Sequence, residues 1–205
     1  MHKLEGDVLD GLTEIINIGT GMAANSLFQL LRHEVMLDVP EVQVMSNAEA
    51  AALVYAQTSS QDVSSVSMQF SGPLRGKAFL LFSEADTAKL TRVYIGEDIS
   101  EYALKELESE VVLEMGNILL NSCLAGLSNM LGGEYITDLP YFYRGPVQRA
   151  FNNEQAEDAM NVLFVKVRFD VSEIEVTGYV ALVMGVNSMQ KLLDQVRKYI
   201  ESLEG

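Results

Sequence analysis

Apolar residues recur at helical spacing from the start of the chain. Val8, Leu12, Ile15, Ile16, Met22, Ala23, Leu27 and Leu30 fall on one side of a helix predicted from Asp7, its cap, to about Arg32. From Glu34 to Val39 the pattern changes toward an alternation of apolar and polar residues. Pro40 interrupts it and Val42-Gln-Val-Met45 resumes it, which predicts an edge strand or a bulged one. The alanine-rich stretch from Asn47 to Gln57 reads as a short helix. Strands follow at about Ser64 to Phe70 and Lys77 to Phe82, joined by the turn Ser71-Gly72-Pro73. Ala88, Leu90 and Val93 then carry a helix from Glu84 to Tyr94, which closes near Gly96.

The same order returns from about Ser100. A long helix runs to Met130 and stops at Gly132-Gly133, a strong C-terminal signal. A strand around Tyr135 to Tyr143 carries Pro140, a hairpin spans Asn161 to Val171 and Glu175 to Met184, and Asn187 to Leu203 is the closing helix. Gly178-Tyr-Val-Ala-Leu-Val-Met echoes Gly76-Lys-Ala-Phe-Leu-Leu-Phe at an offset of 102. The expected fold is α/β of the α+β kind, with antiparallel strands, two long helices and internal pseudo-two-fold symmetry. One domain covers residues 1–205 as two repeats, about 1–98 and 99–205.

The polar sides of the two long helices repeat as well. Asp10, Glu14 and Asn17 are answered 100 residues later by Glu110, Glu114 and Asn117, and Pro40 and Pro140 follow each Asn after 22 intervening residues. At about 100° per residue, Asp10, Glu14, Asn17 and Gly21 lie within a strip roughly 60° wide, opposite the apolar side. Glu110, Glu114, Asn117 and Asn121 form the matching strip, so each helix presents one acid–amide pair outward.

Charge narrows the choice of partners. The formal net charge of −15 disfavours nucleic acid, which is bound by Lys and Arg displacing counterions, and an anionic membrane would repel the chain. The N-terminal Met1 to Asp7 has no signal-peptide apolar core, and strong apolar runs such as Ala78 to Phe82 are of strand length. The single cysteine, Cys123, is on the apolar side of its helix and makes no internal disulfide, in keeping with a soluble protein of the reducing cytoplasm.

Catalytic constellations are scarce. With only His2 and His33, multi-histidine metal sites and nucleophile–histidine triads lack parts. Asp10 and Glu14 lie too close together on one helix face to straddle a glycosidic bond, and Gly19 and Gly21 follow no strand and lack the third glycine of a dinucleotide site. A carboxamide beside a carboxylate suits another task. The amide can orient a water while the acid pairs with a partner's lysine, and phosphoryl transfer, with its loose transition state, needs little more.

Acid or serine, three residues, Glu, two residues, Asn, 22 residues and Pro, present in both halves, resembles the pattern of the CheC family of chemotaxis phosphatases. Asp10-Glu14-Asn17-Pro40 matches the first site and Glu114-Asn117-Pro140 the second, while Glu110 stands where the family pattern has Asp or Ser. The resemblance spans essentially the whole chain. It implies hydrolysis of the aspartyl-phosphate of a CheY-type response regulator, with Asn17 and Asn117 positioning water, Glu14 and Glu114 docking the regulator's lysine, and Asp10 and Glu110 completing the contact surface. The chain itself would bind no cofactor, since the Mg²⁺ belongs to the regulator. The resemblance also implies the deamidase CheD as a partner, for which Val147 to Ala159 is the candidate surface, and a monomer, because the one-site CheX branch dimerises. Flagellar proteins of the FliM and FliY type carry a related domain, which leaves a non-catalytic interaction module as the alternative.

Overall fold

The computed structural model describes residues 6–58, 62–96, 100–151, 160–171 and 174–204. The first long apolar stripe folds as helix α1 (Gly6–Leu31), burying Val8, Leu12, Ile15, Ile16, Ala23 and Leu27 and leaving its acidic strip outside. Because Gly6 is already helical, Asp7 sits inside α1 rather than capping it. Strand β1 (Val35–Ser46) follows, and its register shifts between Asp38 and Glu41, so Pro40 is absorbed in a bulge. Then come α2 (Asn47–Thr58), β2 (Asp62–Ser71), β3 (Gly76–Ser83) and α3 (Glu84–Ile95).

The second half contains α4 (Glu101–Leu131), β4 (Ile136–Thr137), β5 (Tyr141–Pro146), α5 (Val147–Phe151), β6 (Met160–Val171), β7 (Ile174–Gly185) and α6 (Val186–Glu204). One expectation needs correcting here. The single strand foreseen from Tyr135 to Tyr143 is two, β4 and β5, with Pro140 in the gap between them. Proline has no N–H for a ladder, and here no bulge carries the chain past it. Both long helices end on a positive φ at positions 100 residues apart, 57° at Arg32 and 79° at Gly132. In each case that residue's N–H closes the last turn, onto Phe28 O and Ser128 O.

The strands form one antiparallel sheet in the order β1-β6-β7-β3-β2, with β4 and β5 both on the free edge of β2. The pairing crosses between the halves. β1 pairs with β6 of the second hairpin, and β5 pairs with β2 of the first. Ser46 lies opposite Asn161 in one pair and Pro146 opposite Asp62 in the other. The two hairpins meet at β3 and β7, where Phe79 lies opposite Ala181, its counterpart at the offset of 102.

Alternate side chains of the strands feed two cores. Ala78, Leu80 and Phe82 of β3 join the larger one beneath α1, α3, α4 and α6, while Phe79 and Leu81 join the smaller one with α2 and α5. The two long helices therefore share a face of the sheet. They cross closely: a Cβ on Gly19 would lie 2.9 Å from Cys123 Cα. Among the described helices, α4 alone is long and apolar enough to cross a bilayer, and 56% of its apolar window is buried within the fold.

Candidate functional site

The first acid–amide strip is open. Asp10, Glu14 and Asn17 are all exposed on α1, and Gly21, one turn further on, faces open space. Their neighbours Leu12, Ile15 and Ile16 anchor the helix in the core, which turns the polar residues outward. Among the described residues nothing hydrogen-bonds the exposed Asn17 side chain.

The second strip has the same placement and a different environment. Glu110 and Glu114 are exposed, whereas Asn117 is half-buried. Asn121 Nδ2 donates to Asn117 Oδ1 at 2.9 Å and to Asn117's backbone carbonyl at 2.8 Å. Thr137 Oγ1 in turn donates to Asn121 Oδ1 at 3.2 Å. Thr137 is brought there by β4, whose pairing with β2 sets it opposite Phe70. An Asn one turn after Asn117 is visible in the sequence strip. The contribution of Thr137 is not, because it depends on a two-residue strand.

The surroundings differ too. In β1, Val39 is 6% exposed in the core, but its counterpart Leu139 is 91% exposed in the gap before β5. Ile136 and Tyr141, near it in sequence, are 73% and 66% exposed. Behind Asn121 and Thr137 a cavity of about 280 Å³, open to solvent, extends toward Leu124, Ser128, Glu134 and Tyr135.

Among the described residues no hydrogen bond or ion pair joins Asp10, Glu14 or Asn17 to Glu110, Glu114 or Asn117. An ion pair anchors the second strip. Arg144 of β5 meets Glu108, 7% exposed and two residues before Glu110. Cys123 is fully buried, and burial pushes its thiol up to about 12, so it offers no nucleophile. Among the described residues no three of His, Cys, Asp and Glu are grouped to hold a metal ion.

Of the stretch 147–159, the described part is α5, which buries Val147, Ala150 and Phe151 and exposes Gln148 and Arg149. Residues 152–159 lie outside the described residues.

No family model matches the chain. The CheY-P phosphatase CheC of Bacillus subtilis (strain 168) is 27% identical over 132 residues, 63% of this chain and 62% of that protein. The match thus spans less than two thirds of that relative's length. The crystal structure of Thermotoga maritima FliY superposes with a TM-score of 0.76 at 19% identity, covering 96% of this chain and 98% of that one. The chain is similar to proteins of the CheC/CheX/FliY family. A CheX–CheY–BeF₃–Mg²⁺ complex from Borrelia burgdorferi gives a TM-score of 0.50 at 15% identity over 81% of this chain and 96% of that one. In this chain the two long helices and the crossed hairpins form the frame that carries the acid–amide strips.

Proposed function

We propose that the protein hydrolyses the aspartyl-phosphate of a CheY-type response regulator in the cytoplasm, acting as a monomer at two sites. The observation that carries this reading is the outward-facing Glu–Asn pair present on both long helices at the same register. The likeness to a CheC phosphatase and to a CheX solved with CheY and Mg²⁺ supports it.

In each site the Glu, Glu14 or Glu114, pairs with a lysine of the regulator, with Asp10 or Glu110 one turn away adding to the acidic contact. The Asn, Asn17 or Asn117, holds a water against the phosphorus. The water oxygen forms a new P–O bond as the bond between phosphorus and the aspartyl oxygen breaks. The regulator's carboxylate is regenerated and inorganic phosphate carries away both water protons. Mg²⁺ resides on the regulator and neutralises the phosphoryl oxygens. Positioning of this kind is enough because the transition state is loose.

The test is the decay of a regulator phosphorylated with acetyl phosphate. Asn17→Ala or Asn117→Ala alone should leave part of the acceleration, and the double variant should abolish it. An unaltered rate in the double variant removes the assignment.

A second reading is an interaction module without turnover, bound to CheD or to a flagellar switch component. The likeness to a FliM solved in complex with FliG supports it. Binding of CheD or a switch component with no acceleration of decay would decide for this alternative.

A further inference from the structure

The donors and acceptors around Asn117 allow only one polarity. Asn117's backbone carbonyl can only accept, so the Asn121 group facing it at 2.8 Å must be the NH₂. That same NH₂ lies 2.9 Å from Asn117's side chain, which must then present Oδ1 inward, since two amino groups would face each other otherwise. Thr137's hydroxyl completes the order by donating to Asn121 Oδ1. The free end of Asn117 is its Nδ2. In the first half the positions of Asn121 and Thr137 are taken by Gly21 and Leu37, which can reproduce neither bond.

We propose that Asn121, held by Thr137, is a positioning residue of the second site that fixes the Asn117 carboxamide with its Nδ2 toward the partner. This rests on the phosphatase reading and assigns a preorganised site on α4 and an adaptable one on α1. A water held through one lone pair by an Nδ2 hydrogen keeps its other lone pair for phosphorus. At the first site Asn17 must be ordered during each encounter. At the second, Asn117 is ordered beforehand, and immobilising one such side chain corresponds to roughly threefold to tenfold in rate.

The test uses the full chain in an Asn17→Ala background, where only the second site turns over, with a CheY-type regulator phosphorylated by acetyl phosphate. Asn121→Ala should lower kcat by about threefold to tenfold and leave KM unchanged. Asn121→Asp, which cannot donate, should lose at least as much, and Thr137→Val less. Asn121 borders an open cavity, so truncation leaves no sealed void and the variant should fold. An unchanged or faster kcat overturns the proposal. So does an equal loss in the Asn117→Ala background, which isolates the first site.

Nitrogen-15 relaxation of the side-chain amides gives a readout apart from activity. Asn117 should be more ordered than Asn17 and fall to its level in Asn121→Ala; equal order in the parent protein overturns the proposal. If the Asn17→Ala/Asn117→Ala variant retains full activity, the phosphatase reading fails, and the relaxation result still decides the positioning.

Discussion

Gly19 and Gly126 meet where α1 crosses α4, and a Cβ built on Gly126 would stand 2.9 Å from Gly19 Cα. The contact comes two residues after Asn17, so the approach of the helices is fixed beside the first strip. Gly19→Ala should lower stability by about 1–3 kcal/mol in urea denaturation, since overpacking against backbone outweighs the gain in helix propensity. Gly21→Ala, whose Cβ meets open space, should instead raise stability by up to about 1 kcal/mol.

Glu14 and Glu114 are exposed, so their ion pairs with a docking lysine would be modest and screened by salt. Replacing either by Gln should raise KM of its site by roughly twofold to fivefold, the range of an exposed pair, and leave kcat nearly unaltered. The salt dependence of KM should flatten in the double variant, as steady-state decay assays between low and physiological ionic strength would show.

The Arg144–Glu108 pair ties β5 to α4 just before the second strip. Arg144→Ala would leave a buried carboxylate unpaired. Because the Arg144 side chain is itself 31% exposed, the loss should be about 1–3 kcal/mol, less than for a fully buried pair. Arg144→Met combined with Glu108→Gln should recover part of it in chemical denaturation.

Crossed strand pairing means that neither half has a complete sheet. Residues 1–98 alone leave β1 without β6 and β2 without β5, and residues 99–205 leave the complementary gaps. Each half expressed alone should lack a cooperative unfolding transition, and mixing equimolar halves should restore one, as circular dichroism and gel filtration would detect.

Cys123 should resist thiol reagents at pH 8 in the folded protein and react once denaturant is added, because its thiol is buried and titrates near 12. Its folded pKa lies above the unfolded value near 9, so the folded state binds more protons between those limits. The contribution of Cys123 to stability is therefore intact below pH 9 and declines as pH rises toward 12, at no more than about 1.4 kcal/mol per pH unit.

Periodicity and the turn residues are local properties, and they located the elements. The stripe from Val8 to Leu30 became α1, the alternation around Pro40 became a bulged edge strand, and Gly132 ended α4. The outward direction of Glu14 and Asn17 was likewise legible, because a helix that buries Leu12, Ile15 and Ile16 has one side left.

Pairing between distant strands is not local, and only the tertiary structure decided it. Equivalent sequences at Pro40 and Pro140 gave a bulge in one half and a break in the other. Beside β6, the Pro40 segment gained ladder bonds on both sides of the bulge. Beside β2, the Pro140 segment left Leu139 in solvent and Thr137 against Asn121. The two strips are near copies in composition, but one is free and the other is held. That difference comes from which residue the fold brings within hydrogen-bonding distance of each amide.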